Sequence, residues 1–450
     1  MDQENSVPTL AVTAAVGAVV LLVMLFVSMS RKPRETEEEK EAKESTADSA
    51  AKVDKQSSNK KSKSAGKFQR KTQQVAFTHK WLASSLKGHG ARILDMDFSP
   101  NGKYVITVAE DRSIMLWSTK EFELKEHKYI RGNVELDHAT HVKFSPDSKA
   151  FVVSLGNANT VRIFRIGKKD DGSPGNITGA LDFPQKHKAE IINIGIASSG
   201  RFIMTCSSDT TLIVWSIKGD VLSEINTNNM NNSFGAVSPC GRFVASSGFT
   251  PDVKVWEVCF SKTGDFQEVK RAFELKGHSA GVYCFDFNND STRMASVSKD
   301  GTWKYWDTNI RYDMNQDPYL LYTGKIQSPG PCIVSLSLDG RTVAIAQHSS
   351  LYVCNSSGKD ENVIENVHSE ISAQIGFDNS GKYLLSAGDK HVHVLHNITG
   401  YKAAVEELLV LEKKASGQAM KERIRSQIKD ATDALQRIEG ETSNGHASGH

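Results

Sequence analysis

A polar–polar–aromatic spacing that occurs three times limits what this chain can fold into more than any other feature. Asp111 and Trp117 follow His89 by 22 and 28 positions, and the same intervals separate Asp209 and Trp215 from His187, and Asp300 and Trp306 from His278. Between these anchors, alternating apolar runs such as Ile93–Phe98, Tyr104–Val108 and Ser113–Trp117 read as short strands of period two. Polar turn pairs, Asn101-Gly102 and Asp111-Arg112, separate them. One such four-stranded unit cannot bury both of its faces alone. Stacking the units radially buries both and leaves only short edges. The spacing therefore predicts an all-β chain built as a ring of blades.

Aligning each unit on the apolar residue nine positions after the histidine gives Phe98, Phe144, Ile196, Val237, Phe287, Leu336 and Phe377, at intervals of 46, 52, 41, 50, 49 and 41. Seven units fit a seven-bladed ring over residues 75–399, although four degenerate units leave six or eight blades open on spacing alone. The period, with Gly277-His278 at one end and Trp306-Asp307 at the other, resembles the WD40 repeat family. That resemblance implies a WD40 β-propeller. It also implies that a histidine, an aspartate, a strand Ser/Thr and a tryptophan indole form a buried hydrogen-bonded network in each blade. This role falls on His89, Asp111 and Trp117; on His187, Asp209 and Trp215; and on His278, Asp300 and Trp306. On this reading the histidines are structural.

Four units depart from the pattern. The second ends at Phe164, with Glu135 in the histidine slot. The fourth keeps Trp256 but has Asn228 for histidine and a displaced Asp252. The sixth puts Cys354 in the tryptophan slot and shows no histidine, and the seventh keeps His368 and Asp389 with Leu395 for tryptophan. Residues 76–85 are expected to supply an outer strand that closes the ring. The longer segments 168–184, 259–272 and 309–327 read as surface loops.

The N-terminus carries a different signal. Residues 9–29 form a 21-residue uncharged run, which as a helix would be roughly 31 Å long, against a bilayer core of about 30 Å. Asp2 and Glu4 precede it and Arg31, Lys32 and Arg34 follow it. The charge bias predicts a transmembrane helix with the short N-terminus lumenal and the propeller cytosolic. A cleaved signal peptide fits less well, because the start is acidic and the run is long. Residues 31–74 turn from acidic to basic, ending with Lys60, Lys61, Lys63, Lys67, Arg70 and Lys71. With almost no large apolar residues they read as a disordered tether, whose basic half suits an anionic membrane surface or RNA. Five N-x-S/T tripeptides, at Asn176, Asn231, Asn289, Asn355 and Asn397, are read as unused on the cytosolic side.

Residues 401–439 change to helical period. Ile424, Ile428, Ala431, Leu435 and Ile438 form an apolar seam barely two heptads long, interrupted upstream at Gly417 and stopped at Gly440. Such a C-terminal helix would pack on the propeller or on a partner helix. The tail 440–450 reads as disordered.

No phosphate loop, H-E-x-x-H, G-x-S-x-G or C-x-x-C motif is present, so neither catalysis nor a cofactor is expected. The six cysteines lie inside the repeats and read as buried thiols in a reducing compartment. His391 and His393 alternate on one strand with His396 nearby, and read as a solvent-facing strand side rather than as a metal site. The net charge of +2 decides nothing about partners.

The segments Asn133–Thr140, Ser238–Ser246, Gly248–Phe260 and Arg271–His278 resemble a transducin-like branch of the WD40 family anchored in the endoplasmic reticulum. That resemblance implies a non-enzymatic membrane-tethered scaffold that binds proteins, with the ER-stress kinase PERK and translational control under ER stress as its setting. The alternative is an adaptor that contacts RNA or the ribosome through the basic tether and propeller rim. A G-protein β subunit fits poorly, since an apolar run stands where those proteins place a coiled-coil helix. A ubiquitin-ligase receptor fits poorly too, since Trp306-Asp-Thr-Asn309 departs from W-D-x-R. Arg112, Thr210 and Lys299, beside the three network aspartates, are the candidate partner-facing residues.

Overall fold

The computed structural model describes residues 77–326 and 330–445. The expected transmembrane segment 9–29 and tether 31–74 lie outside the described residues, as do residues 446–450. Among the described residues no helix is long and apolar enough to cross a membrane.

The described strands form seven four-stranded antiparallel sheets, the blades of a WD40 propeller. Blade 1 comprises Ile93–Phe98, Tyr104–Ala109, Ser113–Ser118 and Tyr129–Asn133, and five further blades follow in chain order. The last blade is composite. Gln374–Phe377, Tyr383–Gly388 and His391–His396 take their outer strand from Leu82–Lys87, with Leu86 opposite Val392 and Lys87 opposite His391. The two ends of the repeat region thus share one ladder, which locks the ring.

Burial follows from radial stacking. The second strands, such as Tyr104–Ala109 and Phe202–Ser207, are apolar on both faces and almost wholly buried, because each sits between two neighbouring blades. The apolar core accordingly divides into seven clusters, one at each blade interface. Val105, Met115 and Trp117 pack with Leu385, Val392 and Val394 of blade 7, for instance, and Ile106, Ile114 and Leu116 with Val142, Phe151 and Phe164 of blade 2. Every cluster is drawn from residues 77–438, so this region carries its own core. Around the axis, inner-strand carboxylates and amides tie blade 1 to blades 2 and 7, blade 3 to blade 4 and blade 5 to blade 6. Asp95 and Asp97 accept from the N–H groups of Val142 and Phe144 at 3.0 and 2.7 Å, and Asp286 accepts from Leu336 N–H at 2.9 Å.

The three segments read as loops are corrected. Pro174–Asp182, Phe266–Lys276 and Tyr319–Lys325 are the outer strands of blades 2, 4 and 5. They are largely exposed, and the hydrogen-bond ladder to the third strand makes them strands; only Phe266–Lys276 adds a short buried stripe, Phe273 and Leu275. The C-terminal region is also corrected: it is a pair of helices, α1 (Ile398–Lys414) and α2 (Gln418–Gly445), broken at Gly417, and Gly440 does not stop the second. Asn397 caps α1, its Oδ1 accepting from Gly400 N–H at 2.9 Å while its Nδ2 donates to Gly381 O at 3.0 Å. Leu435 and Ile438 of the seam pack against the cluster between blades 6 and 7, and an Arg341–Glu407 ion pair fastens α1 to blade 6.

Candidate functional site

The strand register sets the third-strand slot opposite the same second-strand position in every blade. Trp117 faces Val105, Phe164 faces Phe151, Trp215 faces Ile203, Trp256 faces Val244, Trp306 faces Met294, Cys354 faces Val343 and Leu395 faces Leu384. In blade 5 the indole N–H of Trp306 donates to Ser296 Oγ at 2.9 Å, and that hydroxyl lies 2.8 Å from His278 Nε2. His278 Nδ1 lies 3.0 Å from Asp300, which also accepts from Ser279 N–H at 3.0 Å and from Thr302. Donation therefore runs in one direction, from indole to hydroxyl to imidazole to carboxylate. Blades 1 and 3 repeat it through Trp117–Thr107–His89 and Trp215–Thr205–His187, with Ser113 and Thr211 bridging imidazole to Asp111 and Asp209.

The electrostatics favour this arrangement. Burial first, against the pull of the neighbouring aspartate, lowers the pKa of His89, His187 and His278 below the ordinary value, so the rings are neutral and each has one donor and one acceptor nitrogen. Burial alone would raise Asp300. Hydrogen bonds from Thr302, Ser279 and His278 outweigh it and bring the carboxyl to about 2.

The degenerate blades follow one rule. Where the second strand carries a hydroxyl at the network position, a polar loop residue meets it; where that position is apolar, none does. Ser386 lies 3.0 Å from His368 Nε2 in blade 7. In blade 4 Ser246 accepts from Asn229 Nδ2 at 3.0 Å, so Asn229 and not Asn228 replaces histidine, and Thr250, donating to Asn229 at 3.0 Å, stands where Asp252 was sought. Blades 2 and 6 have Val153 and Ile345 at that position and bury Phe164 and Cys354 beside them. Glu135 is exposed, and the buried residue is Asp137. Its carboxylate accepts from the N–H groups of Asn157 and Ala158 at 3.0 Å each. Blade 2 therefore inverts the pattern, with the carboxylate on the loop and its donors on the turn. The missed residues had a sequence signal, a strand hydroxyl 18 positions after each network histidine.

These aspartate bonds bring the turn between second and third strands against the loop entering each blade, so both sit on one face of the ring. On that face Arg112 is exposed and Thr210 half-buried, both with left-handed φ of 63° and 73°. Blade 5 has Gly301 (φ 77°) at that position, so Lys299 is not their equivalent and lies before Asp300. Lys299 is exposed, its Nζ 5.5 and 5.6 Å from the ring centres of Phe249 and Tyr283. Sequence reasoning missed the apolar members of this face. Leu136 is 93% exposed, Met230 75% and Phe249 57%. Leu136 and Met230 both hold φ at 62°, a conformation that large side chains rarely adopt and that costs roughly 1 kcal/mol or more. Among the described residues no cluster of His, Cys, Asp or Glu is arranged to hold a metal ion. The expected solvent-facing side is corrected: His393 is buried and stacks on His368, and His391 is half-buried.

The ring and its repeated networks define a WD40 propeller, the class whose members serve as protein-binding scaffolds. The WD domain, G-beta repeat model matches residues 80–118, 182–216 and 269–307, the three stretches with complete networks. Human transducin beta-like protein 2 is 53% identical over 390 residues, covering 86% of this chain and 87% of that protein. The mouse protein of the same name is 53% identical over 388 residues, covering 85% and 88%. Actin-interacting protein 1 of Drosophila melanogaster is 27% identical over 237 residues, covering 51% and 36%. The chain belongs to the transducin beta-like protein 2 family.

Proposed function

We propose that this chain is a non-enzymatic scaffold, tethered to the endoplasmic-reticulum membrane by residues 9–29, that holds protein partners on the loop face of a cytosolic propeller. The observation that carries the scaffold reading is the set Leu136, Met230 and Phe249, with Lys299 above Phe249, exposed on one face and held in part by strained backbone. Reversing charge at Arg112 and Lys299 together with Leu136→Asp and Met230→Asp is expected to release bound proteins in co-precipitation. Retention of every partner overturns the reading. The resemblance to ER-anchored relatives makes PERK the first partner to test.

The cytosolic orientation draws support from two of the five acceptor tripeptides. Asn355 and Asn397 are 7% and 2% exposed, and the Asn397 amide nitrogen is spent on Gly381 O. A glycan there would have no room in the folded ring. A chain that must bury these asparagines folds best where no glycan is transferred. Protease protection with endoglycosidase digestion on intact microsomes tests this: a C-terminal tag that is cut without detergent, with no glycan shift, supports the cytosolic side, and a protected, shifted band overturns it. An RNA- or ribosome-contacting role rests on the basic residues of 52–71, outside the described residues. Loss of association with RNase or high salt would favour it.

A further inference from the structure

The free end of the helical pair carries an apolar and basic surface that neither the ring nor the partner helix covers. Leu409, Val410 and Leu411, in the last two turns of α1, are 43%, 48% and 40% exposed, and Met420, in the first turn of α2, is 58% exposed. Three consecutive helical positions step by about 100°, so these side chains cover roughly half of this end of α1, and Lys413 and Lys414 follow them in its last turn. An exposed apolar face flanked by lysines suits a membrane interface. The opposite end behaves differently: Ile398 and Thr399 are buried against the ring, and Leu435 and Ile438 of α2 pack in the core between blades 6 and 7.

Charge selects the occupant. Lys413, Lys414, Lys421 and Arg423 surround the apolar residues, and none of the four has an ion-pair partner among the described residues. Of the carboxylates nearby, Glu412 is held by Arg425 across the helices, Glu407 by Arg341, and Glu422 accepts from Gln418 at 3.2 Å, while exposed Glu406 lies one turn before Val410. Large apolar side chains ringed by unpaired lysine and arginine match an anionic bilayer, where the side chains enter the headgroup boundary and the cations meet lipid phosphate and serine carboxylate. A protein groove would instead be expected to answer these cations with a defined set of carboxylates.

We propose that the α1–α2 tip is a peripheral contact for anionic lipid, independent of residues 9–29. The fragment 77–445 carries its own closed ring and core, so the test uses it without the apolar N-terminal run. A failure of the tethering reading therefore cannot produce or mask the result. In vesicle flotation the fragment is expected to rise with phosphatidylcholine vesicles containing phosphatidylserine, and to stay behind with phosphatidylcholine alone. Lys413→Gln with Lys414→Gln is expected to weaken partitioning about thirty-fold. Val410→Asp with Met420→Asp is expected to abolish it, and the exposure of both positions leaves the melting temperature unchanged as a check on folding. A fragment that never floats, or variants that float like the parent, overturns the proposal. So does a concentration-dependent dimer in light scattering that the Val410/Met420 pair dissolves, which would assign the surface to a second copy of the chain.

Discussion

Replacing Ser296 by alanine removes one oxygen and disturbs two buried groups. The Trp306 indole N–H loses its acceptor at 2.9 Å, and His278 Nε2 loses its donor at 2.8 Å. Trp306, His278 and Ser296 are all buried, so water does not replace the lost partner. An orphaned buried polar group costs about 1–3 kcal/mol, which makes Ser296→Ala worth about 3 kcal/mol for the pair. At the specific unfolding entropy of globular proteins, this lowers the melting temperature of a domain of this size by about 4 °C. Trp306→Phe deletes the indole donor and places in blade 5 the side chain that Phe164 supplies in blade 2. In that background Ser296→Ala orphans only the imidazole. The two substitutions should therefore be non-additive, with a coupling of about 1–1.5 kcal/mol in urea titrations of the four proteins. Effects that add within about 0.5 kcal/mol would show that indole, hydroxyl and imidazole do not act as one chain, and the reasoning would fail.

Burial lowers His368 to about 4 and His393, stacked 4.8 Å away, to about 3, with Lys87 and His391 adding repulsion and Asp389 opposing it. Between the ordinary value and these values the unfolded chain binds protons that the fold refuses. Stability present above about pH 6.5 is thus lost as pH falls, by about 3 kcal/mol for His368 near pH 4. Urea midpoints across that window should fall less steeply in His368→Asn, which copies the Asn229–Ser246 pairing of blade 4. A Cβ at Gly248 would sit 2.0 Å from Asn231 O, so Gly248→Ala should cost about 3 kcal/mol by urea titration. Gly264→Ala, with φ +96° and open space, should cost about 1 kcal/mol in the same assay. A chain begun at Gly88 lacks the strand Leu82–Lys87 and exposes the His391–His396 edge; it should elute as aggregate, and a stable monomer would refute the closure argument.

What the sequence made legible was whatever the repeat enforces locally. The His–Asp–Trp spacing survives because each member bonds the next, so no residue can be inserted between them without breaking a buried chain of donors. The slots held by Phe164, Cys354 and Leu395 were readable for the same reason, since register follows the spacing. The outer strands of blades 2, 4 and 5 were not. A strand such as Pro174–Asp182 has one wet face and contains two glycines, and its ladder partner, Thr160–Lys168, supplies the information that its own composition lacks. Asp137 and Asn229 escaped because the loop entering the blade shifts by one or two positions, and only the strand position they meet shows which residue turns inward. The exposure of Leu136 and Met230 was hidden because it depends on a backbone conformation fixed by neighbouring blades.

In blades 2 and 4 the break in the pattern and an apolar patch of surface coincide. In blades 1, 3 and 5, the residue after the network histidine is Gly90, Lys188 or Ser279, and its N–H binds the turn aspartate. That bond holds the loop down and leaves a polar edge. In blade 2 the carboxylate sits on the loop as Asp137, which turns the preceding Leu136 outward in left-handed geometry. In blade 4 Asn229 reaches Ser246, and the flanking Met230 and the neighbouring Phe249 are left outside. Substituting the histidine network thus does two things at once: it keeps the blade satisfied inside and frees a large apolar side chain on the loop face. The regular blades close that face with loop-to-turn hydrogen bonds, and blades 2 and 4 leave large apolar side chains exposed on it.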